Sequence, residues 1–311
     1  MARTEDSKST QSNSETSSTS GEASLFSKTL IIFDFDDTLF CTKYFDTFAL
    51  NYQDIFTCQV SLEEINPCLV RELKQLQSAI IELFSNLQLN YDIVIISNAD
   101  MKWINNCLTH FLEELKDYIN ENDIKIYSAK NIFSKISKNS MDWKIKCFKK
   151  VINEMYKDEL NYTDLNVISV GDSHEEKKAL FNLIKSSKIP KINGKFIHMI
   201  SFPSAATIIL QLKYLNCNLN NIISESDSIF KMGIEFRNGN PEIKCVQKKK
   251  SKNEEISKKY LSKVNYDNFC YLKENKEFTT ENDDNELFYN IQQQDDQTFL
   301  SNSLLGKIIF N

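Results

Sequence analysis

Five short apolar runs rich in β-branched residues, alternating with amphipathic stretches, constrain this chain more than any other feature. The runs fall at residues 29–34, 92–97, 124–128, 165–170 and 195–201, too short for helices and about the length of strands. Between them, Leu69, Leu73, Leu76, Ile80, Leu83 and Leu87 recur at spacings of three and four, and so do Trp103, Cys107, Phe111 and Leu115. That is the apolar stripe of a helix lying on a sheet. Phe148, Val151, Ile152 and Met155 mark a third stripe, Ala179, Leu180 and Leu183 a fourth, and Ile208, Leu210, Leu212 and Leu215 a fifth. Strands joined by helices pair in parallel. The expected fold is α/β: a doubly wound, parallel, five-stranded Rossmann-like sheet with helices on both faces, built from residues 28–217.

A strand buried on both faces cannot hold carboxylates internally, so acids directly after such a run mark its end. Leu30-Ile31-Ile32-Phe33 is followed at once by Asp34-Phe35-Asp36-Asp37-Thr38-Leu39. This places Asp34 and Asp36 at the carboxyl end of strand one, where open α/β sheets form their ligand crevice. Strand two ends on Ser97-Asn98, and strand four runs into Gly171-Asp172-Ser173-His174-Glu175-Glu176. Lys144, in Asp142-Trp143-Lys144-Ile145-Lys146, opens the helix before strand four. Phosphoryl transfer to a carboxylate needs a nucleophile, an acid for the leaving oxygen, cations for the phosphate oxygens and fixed donors. These strand ends offer each in turn.

The four segments, in this order, resemble the motifs of the haloacid dehalogenase (HAD) superfamily, whose members are mostly phosphohydrolases using an aspartate nucleophile and magnesium. The resemblance covers residues 29 to about 216. It implies Asp34 as nucleophile and Asp36 as general acid and base on the same side, with its carbonyl on the metal. It implies a phosphate-binding set of Phe35 through its backbone N–H, Thr38 as orienter of the loop, the Ser97 hydroxyl, the Asn98 backbone N–H and Lys144. Lys146 or Lys138 could take the place of Lys144. The implied metal ligands are Asp34, Asp36, Asp172 and Glu176, the last through a water, with Glu175 open as its substitute. His174 is outside the pattern and reads as a first-turn helix residue, and Asp37 stands where many relatives have glycine.

Electrostatics agree with magnesium. Two carboxylates such as Asp34 and Asp172 at about 5 Å repel by roughly 3 kcal/mol at an effective dielectric near 20. A hard divalent cation with oxygen ligands removes that penalty. A purely structural acid cluster would instead call for matching basic residues, and the loops after strands one and four offer only Lys43 and Lys177 nearby.

The formal charge of −6 gives no basic excess for binding nucleic acid, and no such partner is expected. No apolar run approaches the 18 or so residues that span a bilayer. The opening Arg3, Glu5, Asp6 and Lys8 do not resemble a signal or transit peptide. A soluble cytosolic or nuclear protein is expected. Eight cysteines without a Cys-x-x-Cys pair, and three histidines without zinc-like spacing, point to reduced thiols rather than structural zinc.

Residues 1–27 are a Ser/Thr-rich tail expected to be disordered, either phosphorylatable or passive. Residues 40–66 form a flap or small cap carrying Phe40, Tyr44, Phe45, Phe48, Tyr52 and Phe56, rings that either pack the flap down or line an apolar entry. Residues 218–246 suggest a helix and a hairpin around Asn238-Gly239-Asn240-Pro241. Residues 247–311 are a charged tail, lysine-rich to Lys263, then acidic, ending in the apolar Phe299 to Phe310 segment. With no room for a large cap, the site suits either a phosphoprotein or a metabolite or nucleotide phosphate. The expected function is magnesium-dependent phosphomonoester hydrolysis through an aspartyl-phosphate on Asp34. The alternative is a non-catalytic phosphate- or partner-binding protein on the same scaffold.

Overall fold

In the computed structural model, residues 28–48, 50–156, 164–186, 192–225, 228–237 and 240–247 are described. The 1–27 tail, and the charged tail beyond Gln247, lie outside them. The chain runs through β1 (Lys28–Phe33), the short helices α1 (Thr42–Asp46), α2 (Tyr52–Phe56) and α3 (Leu62–Ile65), the long α4 (Pro67–Gln88) and β2 (Asp92–Ser97). Then come α5 (Met101–Phe111), α6 (Glu113–Glu121), β3 (Lys125–Ser128), α7 (Ala129–Phe133), α8 (Ser140–Tyr156), β4 (Leu165–Gly171) and α9 (His174–Ser186). The series closes with β5 (Ile192–His198), α10 (Ala205–Ser224), β6 (Ile229–Arg237) and β7 (Asn240–Gln247).

These strands form one mostly parallel sheet in the order β3-β2-β1-β4-β5-β6-β7. The expected five strands become seven, because β6 pairs in parallel with β5 and β7 returns antiparallel beside β6. The hairpin read near residue 240 is therefore the far edge of the sheet itself. Pro241 is tolerated because β7 is an edge strand, where a missing N–H need not break a ladder. The helix read at Ile208 to Leu215 likewise runs on to Ser224, well past residue 217.

Leu30 and Ile32 face α8 and α9, joined by Val94, Ile96, Val167, Phe148, Val151 and Leu180. Phe33 faces the other way, its ring 5.1 Å from that of Phe84 on α4. Burying each such side chain contributes about 1.5–3 kcal/mol. The long α4 begins where Asn66 caps Leu69 N–H and Pro67 supplies a first-turn residue with no donor to lose. On its face lies α10, held by hydrogen bonds from Asn86 to Asn216 and from Tyr91 to Asn220. Thus α9 and α10 cover opposite faces although both connections step outward in the same direction, so the two crossovers have opposite hands. One of them departs from the usual right-handed rule. The apolar surface of α10 explains its place: Ile208, Ile209, Leu210 and Leu212 point around the helix and all are buried.

The stripe of Trp103, Cys107, Phe111 and Leu115 is divided between α5 and α6 by Leu112, whose backbone opens to φ −136°. The stripe runs on across that break, so spacing alone could not reveal it. The flap rings pack down onto α5: Phe40 and Phe45 are fully buried, lying 5.7 and 4.7 Å from Phe111. Tyr52 and Phe56 sit edge-on against Trp103. Among the described residues no disulfide occurs; Cys41, Cys107, Cys147 and Cys245 are buried thiols, and Cys58, Cys68 and Cys217 are exposed.

Candidate active site

The order reverses direction at β1, with β2 on one side and β4 on the other, and the site lies at the carboxyl ends of β1 and β4. The ladder continues one residue past β1, since Asp34 N–H donates to Val170 O at 3.0 Å. The chain then folds back sharply, the Phe35 carbonyl accepting from the N–H groups of Leu39 and Phe40 at 2.9 Å each. Asp37 completes the turn with φ 53°. Short polar side chains enter this left-handed region more readily than others, which accounts for an aspartate where glycine would also serve.

Lys144 from α8 is the centre of the site. Its Nζ lies 2.9 Å from Asp34 Oδ1 and pairs still more closely with Glu176 Oε1, and all three side chains are almost wholly enclosed. Asp172 stands beside them: single oxygens of Asp34, Asp172 and Glu176 fall within 4.8 Å of one another. Glu176 is held from behind by Ser173, whose N–H and hydroxyl donate to Oε2 at 3.0 and 2.5 Å. Gly171 leaves room for this, because a β-carbon there would stand 2.5 Å from Glu176 Cγ.

Charge is distributed unequally within the cluster. Burial pulls the Lys144 ammonium down, but Asp34 and Glu176 outweigh it and hold the group above its ordinary range. Burial pushes Glu176 up, yet Lys144 and Ser173 prevail and keep it below the usual carboxylate range. Asp34 has the weaker share of the lysine, and burial holds it well above that range. Burial pushes Asp172 up to about 7, with Lys43 opposing.

Asp36 has a separate set of partners. Its Oδ1 accepts from Thr42 Oγ1 at 2.6 Å and from Trp103 Nε1 at 3.1 Å, and its Oδ2 from Ser97 Oγ at 3.3 Å. Its hydrogen bonds thus run to the flap, to α5 and to the end of β2, whereas Asp34 pairs with Lys144 from α8. The Asp36 carboxylate is not among the clustered oxygens. Ser97 also accepts from Ala99 N–H at 3.0 Å. Asn98 donates its amide to Ser140 O and to Glu175 Oε2. Glu175 is thus turned to α8, accepting from Ser140 Oγ at 2.8 Å, and Glu176 is the acid of the cluster. The Thr38 hydroxyl is enclosed and without a hydrogen-bond partner. Of the three candidate lysines, Lys144 is buried in the site, Lys146 is half-buried and Lys138 is exposed.

Several contacts escape a reading by spacing. Lys43, on α1, places Nζ 2.9 Å from Asp37 Oδ2 and 3.6 Å from Asp172 Oδ2. Trp103 reads as a core position, but its indole N–H serves Asp36. His198, at the end of β5, has Nε2 3.0 Å from the Asp172 carbonyl, and burial holds it below the usual histidine range.

Four carboxylates, Asp34, Asp37, Asp172 and Glu176, therefore share two lysines, Lys43 and Lys144. With all four ionised, the carboxylates exceed the lysines by two charges, and the three clustered ones offer buried hard oxygens of the kind a divalent cation such as magnesium takes. Burial, the main cause of the upward push on Asp34 and Asp172, disfavours their ionised forms, and a bound cation would favour them. No protein-family model, curated protein or solved structure matches the chain. Among the described residues, no helix is long and apolar enough to cross a membrane.

Proposed function

We propose that the chain is a HAD-like, magnesium-dependent phosphomonoester hydrolase that works through an aspartyl-phosphate on Asp34. The observation that carries this reading is the meeting of Asp34, Asp172 and Glu176 around Lys144 at the ends of two adjacent parallel strands. Asp34, Asp172 and Glu176 would hold the metal, which would screen the charge of the phosphoryl oxygens and draw the Asp34 carboxylate into its ionised form.

In the first half-reaction an oxygen of Asp34 forms a bond to phosphorus as the ester oxygen departs. Lys144, 2.9 Å from Asp34 Oδ1, orients the nucleophile and balances the charge that develops on the phosphoryl group. Asp36 is the proton carrier in this scheme. Thr42 and Trp103 both donate to its Oδ1 and fix the carboxyl plane, leaving Oδ2, near Ser97, for exchange with the leaving oxygen. In the second half Asp36 takes a proton from water, whose oxygen attacks phosphorus and returns Asp34 to its free state. The substrate is a phosphoprotein or a metabolite or nucleotide phosphate.

One observation favours the alternative, a phosphate- or partner-binding protein: Lys43 and Lys144 already give Asp34, Asp172 and Glu176 cationic partners. Hydrolysis of an aryl phosphate by the full chain, with magnesium or with EDTA and beside Asp34→Asn, decides between them. Magnesium-dependent turnover that disappears in Asp34→Asn supports the enzyme. Turnover indifferent to Asp34 refutes it.

A further inference from the structure

Lys43 approaches the acid cluster from the flap and ties three strand-end loops together. Its Nζ contacts Asp37 after β1 at 2.9 Å and Asp172 after β4 at 3.6 Å, and stands 4.1 Å from the ring centroid of Phe202 after β5. Its own backbone N–H donates to Asp37 Oδ1 at 3.0 Å. Phe202 has φ 55° and leaves 66 % of its surface exposed, an unfavourable posture for a large apolar residue. The ammonium over its ring gives that posture a purpose. Asp172 is only 8 % exposed beneath this strap.

We propose that Lys43 is a tethered counter-ion that stands in for a divalent cation at Asp172, and that binding of the cation displaces it and releases α1 from Asp172 and Phe202. This rests on the metal-binding part of the function proposed above. A divalent ion at Asp172 repels an ammonium twice as strongly as the carboxylate attracts it at the same distance. The surroundings of the two lysines differ, and they decide which one yields. Lys144 is enclosed, with 2 % of its side chain exposed, whereas Lys43 has 43 % exposed and can turn its flexible stem to water. The Lys43 N–H bond to Asp37 keeps the start of α1 attached while the side chain leaves. Metal would then precede substrate, because the displacement uncovers the mouth of the site.

The test is calorimetric titration of the full chain with magnesium, beside amide hydrogen exchange of residues 42–48 in magnesium and in EDTA. Lys43→Met is expected to bind magnesium about fivefold more tightly, the scale of a half-exposed ion pair removed from competition. Lys43→Arg is expected to bind as the wild type does. Exchange over 42–48 should quicken with magnesium in the wild type, and should already be fast, and unresponsive, in Lys43→Met. Unchanged or weaker affinity in Lys43→Met, or tighter affinity with a flap that ignores magnesium in the wild type, overturns the displacement alone. A wild type that takes up no magnesium, or an Asp172→Asn variant that binds it equally well, overturns the displacement and the metal reading together.

Discussion

Glu176 folds back over Gly171 so closely that a β-carbon on Gly171 would lie 2.5 Å from Glu176 Cγ and 2.9 Å from its Oε2. The glycine before Asp172 is thus a requirement of space, set by a side chain five positions further on. It keeps Glu176 within reach of both Lys144 and Ser173.

Gly171→Ala should force Glu176 out of this position and destabilise the protein by about 1–3 kcal/mol, the usual range for overpacking. Magnesium affinity should fall with it. Gly233, where a β-carbon would meet nothing within 4 Å, is the control, and Gly233→Ala should stay within about 0.5 kcal/mol of wild type. Denaturant titration of both variants checks the pair, and equal stabilities would remove the steric account.

Lys144→Met leaves Asp34 and Glu176 facing each other without their shared cation. A loss of about 3–5 kcal/mol is expected, because a buried charge without its partner is strongly unfavourable. Adding Asp34→Asn and Glu176→Gln to the same chain should restore most of it. Thermal melts of the single and triple variants test this, and a single variant that melts with wild type rules it out.

The pH dependence has a definite sign. Burial raises Asp172 to about 7 in the folded chain, against about 3.9 in an unfolded one. The native state then binds more protons between those values, so the Asp172 contribution to stability declines as pH rises from about 4 to about 7. The difference in stability between wild type and Asp172→Asn, followed in EDTA across this window, should shift by a few kcal/mol against wild type. Saturating magnesium should flatten it. A difference independent of pH in EDTA contradicts the assignment.

Trp103→Phe keeps a ring in the flap cluster but removes the donor to Asp36 Oδ1, 3.1 Å away. A charge-assisted hydrogen bond of this kind contributes about 1.5–3 kcal/mol. On the proposed mechanism kcat should fall and its pH profile shift, while KM changes little. A lower Tm with an unaltered pH profile would falsify the positioning role and leave Trp103 a packing residue.

The parts of this molecule that were legible in the sequence are those governed by local pattern. Leu30 to Phe33 announce a buried strand, and a buried strand places Asp34 and Asp172 at adjacent ends once β1 and β4 pair. Lys144 and Glu176 were each one of several candidates, because helix spacing does not say which lysine or acid points inward. Contacts made by long side chains across loops, such as Lys43 with Asp172, leave no trace in spacing at all. The end of the domain was obscured for a different reason. Asn216, Asn218, Asn220 and Asn221 interrupt the apolar run of α10, although Leu219 and Ile222 carry its buried face to the end.

That last point is testable. A chain stopped at residue 217 cuts α10 and removes β6 and β7, uncovering Phe196 and the edge of β5. It should be recovered as aggregates, whereas residues 28–247 should give a cooperative melt. Gel filtration and circular dichroism compare them, and a well-behaved 28–217 fragment would show the hairpin to be dispensable.

The place of β1 between β2 and β4 has a consequence for synthesis. Asn166, on β4, donates to the Thr29 hydroxyl on β1 across 137 positions of sequence, so one edge of β1 has no partner until that much more chain has left the ribosome. At about 5–20 residues per second this is an interval of roughly 7–27 s. For that time a strand with the apolar run Leu30-Ile31-Ile32-Phe33 is an open template for pairing with other chains, and the carboxylates of the site have not yet met.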